Sequence, residues 1–245
     1  MYEATYLSNL HYKKPKALII CRAGDSSLHK NWLSKSNNDN FDLVISYYGD
    51  KGNLYVEDCV YYEKQKGTKF PSLYKLISNN IKSIMEYDII WIADDDLLIN
   101  NESINRMFNI FYSKKLWLAQ PSLTHNSYYS YPLTLKKEGL LLRYTNFVEE
   151  MAPIFSREAL LRCLYSFSES QSGWGLDLIW PKILGYPTNK IAIIDAVSVH
   201  HTRKIWTGPQ YKLFNIDPWT EATMVTKKYD VPLPYDMKVY GEVRS

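Results

Sequence analysis

The sequence is short of paired cysteines, of glycine-rich phosphate loops and of long apolar runs, and each shortage closes off a class of protein. Three scattered cysteines, Cys21, Cys59 and Cys163, have no C-x-x-C spacing, which argues against a zinc site and a disulfide framework and favours a reducing compartment. No G-x-G-x-x-G and no P-loop occurs, so neither common phosphate fingerprint is available. No uncharged apolar stretch is long enough to span a bilayer, and residues 1–15 lack an apolar core of signal-peptide length. The expectation is a soluble, cytoplasmic chain. A net charge of +3 with no dense Lys/Arg block is too weak to make nucleic acid the main partner. Internal repeats, low-complexity segments and long linkers are all missing, so residues 1–245 are expected to form a single domain, with a core over about 16–207 and a tail over 208–245.

What the chain does have is buried-strand pattern, ordered around one stretch. Residues 88–92 (D-I-I-W-I) are compact, apolar and rich in β-branched and aromatic types, the pattern of a strand covered on both faces. Further strands are predicted at 16–22, 41–48, 56–62, 116–120 and 190–199, and a strand that breaks into the site at 140–153. The clearest helix is 72–86, with Leu73, Leu76, Ile77, Ile81, Ile84 and Met85 on one face and Pro71 in its first turn. A weakly helical stretch is expected at 29–36. Other helices follow Asn100 or Asn101, Ser156 and Asp217, each a good N-cap. Residues 121–132 and 166–175 are predicted loops, and the end of the tail, with Pro232 and Pro234, is expected to be extended. Strand alternating with helix predicts an α/β fold with a mixed, mainly parallel, Rossmann-like sheet flanked by helices.

Three consecutive carboxylates, Asp94, Asp95 and Asp96, stand at the carboxyl end of the 88–92 strand, where open α/β sheets bind ligands. Their mutual repulsion calls for a positive partner, and an oxygen-coordinated divalent cation is the natural one. The competing reading is a solvated acidic turn. Three other pieces are predicted to reach the same side of the sheet. These are G-W-G-L-D at 173–177, the pair His200-His201 at the end of the 190–199 strand, and the turn after the first strand. A carboxylate plus an imidazole suits manganese as well as magnesium. Adjacent strand residues point to opposite faces, so only one of His200 and His201 reaches the metal. Asp177, behind two glycines, is placed to act as general base toward an acceptor hydroxyl, or else to cap the helix starting near Leu178. Glu149 and Glu150 stand next in line as bases. Arg22, Asp50 and Lys69 follow predicted strand ends and are candidates for nucleotide contacts. The 21 tyrosines suit carbohydrate contacts as well as ordinary half-buried sheet positions.

This ordered set resembles the GT-A fold glycosyltransferases, in which an Asp-x-Asp motif ends a strand of a nucleotide-binding α/β sheet. Asp94-Asp95-Asp96 after W-I-A matches that motif. G-W-G-L-D is similar to the Trp-Gly-Trp-Gly segment of the β-1,4-galactosyltransferases, but it lacks the first Trp and carries Leu176-Asp177 in place of a longer acidic run. The stretch at 146–157 (N-F-V-E-E-M-A-P-I-F-S-R), with I-I-D-A-V-S-V-H-H-T-R, also resembles an uncharacterised glycosyltransferase-like family of plants and bacteria. There the histidine before Thr-Arg recurs, which favours His201 over His200. The resemblance covers roughly residues 16–207.

It implies a UDP-sugar or other nucleotide-sugar donor, with its pyrophosphate on Mn2+ or Mg2+ held by Asp96 and His201. Arg22, Asp50, Lys69, Asp94 and Asp95 would then contact the donor, and Trp174, Glu149 and Glu150 the acceptor. With Asp177 as base, transfer to a glycan or lipid-linked acceptor would invert the anomeric carbon. The implied setting is cell-surface polysaccharide biosynthesis, and a lipid-linked acceptor would add peripheral association with the inner membrane face. The rival readings are a metal-dependent phosphoesterase and a non-catalytic carbohydrate-binding protein.

Overall fold

Residue parity along the first strand sets the architecture. β1 (Ala17–Ala23) is buried along its whole length. Ile19 and Cys21 enter one hydrophobic core, and Leu18 and Ile20 enter another. A strand with no polar face has to lie inside a sheet covered on both sides. The computed structural model describes residues 15–34, 39–52, 54–205, 207, 212–213, 215 and 217–245. Residues 1–14, and most of the predicted 208–216 part of the tail, lie outside the described residues.

The sheet comprises β1, β2 (Phe41–Tyr47), β3 (Tyr61–Lys64), β4 (Ile89–Asp94), β5 (Leu97–Leu98), β6 (Leu118–Leu123), β7 (Leu140–Thr145), β8 (Ile154–Ser156), β9 (Ile191–His201) and β10 (Val239–Arg244). Its spatial order is β10-β7-β9-β6-β8-β4-β1-β2-β3, with the short β5 paired to β9. β3, β2, β1 and β4 run parallel, as do β6 and β9, while β8 and β7 are antiparallel to both their neighbours. The expectation of a mixed, mainly parallel α/β sheet flanked by helices holds. α3 (Asn101–Ser113) covers one face through Ile104, Met107, Phe108 and Phe111. α1 (Lys69–Asn79), α4 (Arg157–Cys163) and α5 (Leu176–Ile183) cover the other, around Phe70, Leu160, Phe167 and Trp180.

Several boundaries differ from the sequence pattern, each for a local reason. The helix predicted over 72–86 begins at Lys69 and is interrupted at Asn80, whose Nδ2 donates to Leu76 O at 2.9 Å before α2 (Ile81–Ile84) resumes. Such side-chain bonds to the backbone compete with helix continuation. The strand expected at 56–62 is a 3-10 turn at Val56–Asp58, entered through Tyr55 at φ 75°, and only then β3. The weakly helical stretch at 29–36 shortens to a 3-10 turn at His29–Asn31, its last two residues lying outside the described ones. The predicted loop at 121–132 starts late because β6 runs on to Leu123; Pro121, without an N–H, falls where the β6–β9 ladder shifts register. The strand expected over 140–153 stops at Thr145, whose hydroxyl donates to Phe147 O at 2.7 Å, and pairing resumes only at β8. A 3-10 segment, Leu164–Ser168, takes up the start of the loop expected at 166–175. The extended end of the tail includes β10, which pairs with β7.

The register shift in β9 carries Asp195, which is fully buried. Arg143 Nε and Nη2 meet its two carboxylate oxygens at 2.8 and 2.9 Å. The same guanidinium donates to Leu133 O and Leu135 O, so one buried pair fixes the segment leading into β7. α6 (Pro218–Lys228), capped by Asp217, packs against α5 and closes the site from the C-terminal side.

Candidate active site

β4 delivers the aspartates, and the pleat decides where the first one points. Asp94 continues the face of Ile90 and Ile92, toward α1, where Lys69 Nζ lies 2.6 Å from its Oδ1. Lys69 is buried in the first turn of α1 and also reaches Glu150, at 2.6 Å to the carbonyl and 3.3 Å to the carboxylate. Asp95 accepts from Gly24 N at 2.7 Å and from Arg203 Nη1 at 2.7 Å. Arg203 also donates to Ser26 O, tying the end of β9 to the turn after β1.

Asp96 meets His201 because β5 pairs antiparallel with β9, placing Leu97 opposite His201 and Leu98 opposite His200. His201 is buried and His200 half-buried, so the alternation of β9 turns His201 inward. Asp96 Oδ2 and His201 Nε2 are 3.2 Å apart, and His201 Nδ1 donates to Tyr128 O at 2.7 Å. Burial opposes the charged form of each, but their mutual hydrogen bond and attraction win. Asp96 stays below the usual carboxylate range and His201 is raised to about 9. Burial raises Asp94 and Asp95, against the pull of Lys69 and Arg203.

The donor set suits a hard or borderline divalent cation. The Tyr128 carbonyl fixes the imidazole with Nδ1–H, so loss of the other proton leaves the Nε2 lone pair facing Asp96. A separation of 3.2 Å between the two atoms is the edge of an octahedron with bonds of about 2.1–2.3 Å. Among the described residues no group of three or more His, Cys, Asp or Glu side chains is arranged to hold an ion. A cation on this pair would therefore take its other ligands from water or a bound phosphate, the usual arrangement for magnesium-type sites.

Arg22, Lys69, Asp94, Asp95, Asp96, Glu149, Glu150, Trp174 and His201 all line one cavity that opens to solvent. Arg22 is largely committed, donating to Ser46 Oγ, Gln65 O and Gly67 O, so it shapes the cavity wall as well as charging it. Asp50 is not brought there. It is exposed, pairs with Lys66 at 2.6 Å, and borders a neighbouring groove with the turns after β1, β2 and β3. Asp177 lines a smaller pocket that adjoins the main cavity and shares Ser130, Glu149, Glu150 and Trp174 with it.

The loop that carries Trp174 and Asp177 is pinned from α6. The buried Glu221 carboxylate accepts from Ser170 Oγ, Gln171 N, Ser172 N and Ser172 Oγ, at 2.9, 2.7, 2.8 and 2.5 Å. Gly173 and Gly175 both take left-handed φ values, 89° and 87°. A Cβ on the first would sit 2.8 Å from Phe70, and on the second 2.9 Å from the Ala222 backbone. The loop thus lies flush between α1 and α6. Gly175 caps α5 without a side-chain bond, and Asp177 sits in the first turn, so the helix does not begin on an Asp177 cap.

Behind the Asp96–His201 pair the carboxylates crowd. Asp177 is buried and held well above the ordinary range, by burial first and then by Glu150 and Glu149. Glu149 is raised by burial to about 7, and its Oε2 has no hydrogen-bond partner among the described residues. From about 4.5 to about 7 the folded chain therefore holds more protons at Glu149 than the unfolded chain does. This contribution to stability is complete below the unfolded value and lost as the pH rises through the folded one. Glu149→Gln is expected to flatten the fall in stability between about pH 5 and about pH 8, measured by urea unfolding of metal-free protein. An unchanged slope would assign the burdened proton to another carboxylate.

Tyr48, Trp219 and Glu221 were not marked by sequence pattern, yet they border or support these two pockets. Ser130 and Tyr131 fall in the polar, aromatic loop predicted at 121–132, over the open side of the sheet where acceptor recognition was expected, and Arg203 closes the H-H-T-R stretch, just past the end of a strand that meets three acids.

Comparison with known proteins agrees with the architecture. The family described as Protein of unknown function (DUF707) matches residues 142–231, which include Glu149, Trp174, Asp177 and His201 but not the aspartate triplet. No curated protein matches the chain. Among solved structures, that of GalNAc-T7 with UDP, GalNAc and Mn2+ is similar at a TM-score of 0.60 and 9% sequence identity, over 89% of this chain and 49% of that one. The chain thus spans about half the length of that neighbour. At this identity the likeness is one of fold alone, a GT-A-like mixed α/β sheet flanked by helices. No helix among the described residues is long and apolar enough to cross a membrane.

Proposed function

We propose that the chain is a glycosyltransferase, a single GT-A-like domain that moves a sugar from a nucleotide-diphosphate sugar, in the first instance a UDP-sugar, to a hydroxyl acceptor. The acceptor is a glycan or a lipid-linked glycan. The observation that carries this reading is the Asp96–His201 pair, 3.2 Å apart, in a cavity that also holds Lys69 and Arg203 and opens onto a pocket of buried carboxylates. The fold likeness to a protein solved with UDP, GalNAc and Mn2+ supports it.

In this reading Asp96 and His201 hold a manganese or magnesium ion, which when bound offsets charge on the leaving diphosphate. Arg203 and Lys69 add fixed positive charge around the phosphates, each already oriented by a carboxylate. Trp174 sets an indole at the boundary between the two pockets, positioning the sugar between donor and acceptor. Asp177 takes the proton of the acceptor hydroxyl as its oxygen bonds to the anomeric carbon. The bond from that carbon to the phosphate oxygen breaks, and the diphosphate leaves with the electron pair. Attack opposite the leaving group inverts the anomeric configuration.

The test is a thermal melt with UDP, with and without Mn2+, followed by an assay of donor turnover. UDP at about 100 times its Kd is expected to raise the melting temperature by about 5–10 °C, with Mn2+ only. Release of UDP with acceptor present supports transfer. Release of inorganic phosphate would instead indicate a phosphoesterase, and sugar binding without turnover a carbohydrate-binding protein.

A further inference from the structure

The smaller pocket beside the metal pair is unbalanced in charge. Its walls include Glu149, Glu150 and Asp177, and no basic side chain lines it among the described residues. Lys69 answers Glu150 from the main cavity, which leaves Glu149 and Asp177 without an ion-pair partner among the described residues; Glu149 is eased only by hydrogen bonding from Ser130 and the more distant charge of His201. Acidic crowding alone defines no site. Here, however, Glu149 is 4% exposed and its Oε2 has no hydrogen-bond donor, an expensive state for a buried carboxylate oxygen. The remaining walls are small, aliphatic and aromatic, and the aromatic ones stand together. Trp174 and Trp219 meet edge to face at 4.7 Å, and Tyr131 lines the same space. A buried carboxylate oxygen that needs a donor, beside a second buried carboxylate and three aromatic side chains, forms surroundings that favour an ammonium group.

We propose that this pocket is an acceptor subsite for a sugar bearing a free, unacetylated amino group, whose ammonium binds Glu149 and stands near Asp177. The proposal rests on the glycosyltransferase reading and narrows its acceptor to a cationic class. It also supplies what the base lacks. A positive charge beside Asp177 favours its carboxylate form, so arrival of the acceptor would ready the group that deprotonates the acceptor's hydroxyl. An N-acetylated sugar would bring an amide with a single N–H and no charge, leaving both carboxylates uncompensated.

The experiment measures binding by calorimetry at about pH 7 to the full chain, with glucosamine, galactosamine and mannosamine. Each is paired with its N-acetyl form and with the corresponding neutral hexose. At least one amino sugar is expected to bind about tenfold or more tightly than both of its neutral counterparts, the size of a charge-assisted hydrogen bond. Glu149→Gln should erase that preference, with circular dichroism reporting whether the variant is folded. Should that variant not fold, Trp219→Ala at the exposed rim should weaken the same amino sugar and leave the Mn2+-dependent UDP shift in place. Equal or tighter binding of the neutral sugars, binding of none of them, or a preference that survives in folded Glu149→Gln would each overturn the proposal. UDP with Mn2+ is titrated in parallel. Amino-sugar preference without UDP binding would keep the subsite and sink the transferase reading, whereas UDP binding without the preference would do the reverse.

Discussion

Asp177→Asn should lower the rate of sugar transfer by about 10²–10⁴-fold while leaving Mn2+-dependent UDP affinity unchanged. The substitution keeps shape and removes only the ability to take a proton. A base acts in the transition state, so the loss should fall on kcat, with donor binding untouched. The structural role is separable from the chemical one. Asp177 lies in the first turn of α5 behind Gly175, and burial already holds it well above the ordinary carboxylate range, so the Asn variant removes little helix-dipole interaction and should fold like the parent. A folded variant with near-normal transfer would move the base to Glu149, whose value near 7 suits proton transfer at neutral pH. The matching experiment is Glu149→Gln: as acceptor holder its variant should raise KM first, and as base it should lower kcat.

Much of this site was visible before any coordinates, and the reason is topological. Apolar runs with no polar face, such as those of β1 and β4, identify central strands. Strand ends in such sheets collect chemistry, which marked Arg22, the aspartate triplet and His201. Pleat parity required only one of His200 and His201 to face the site, and the family resemblance, not parity, favoured His201, which is the one turned inward. What sequence could not reveal were contacts made by pairing and by long-range docking. β5 is two residues long, too short for any period, yet it brings Asp96 to His201. Glu221 reads as one more charge on an amphipathic helix, and only the docking of α6 shows it gathering four donors from the Trp174 loop. Asp50 fails in the opposite way. It follows a strand as predicted, but its side chain turns out to Lys66 and away from the main cavity. Position at a strand end fixes where the backbone is, and a single residue of turn decides where the side chain goes.

Asp96→Ala should weaken Mn2+-dependent binding of UDP by at least about 100-fold, with His201→Ala close behind. Removing either one takes away half of the protein's share of the ligand set, and outer partners alone are worth about 10–100-fold in comparable sites. In metal-free protein the two effects differ in sign of charge. Without Asp96 the imidazole loses the largest influence that raises it, so it titrates lower, with the Tyr128 carbonyl and Asp94 still favouring its charged form. Without His201 the Asp96 carboxylate loses the contact that holds it down and remains buried beside Asp94 and Asp95. His201→Ala is therefore expected to be the less stable of the two in urea, and to regain stability at acid pH, where the crowded carboxylates protonate. Because both residues serve one ion, their effects on UDP affinity should not add, and the double variant should bind about as weakly as Asp96→Ala. His200→Ala, on the outer face of β9, should bind UDP like the parent. Calorimetry on the four variants and the parent decides the matter: additive losses, or a loss at His200 equal to that at His201, would mean that the pair does not act as one site.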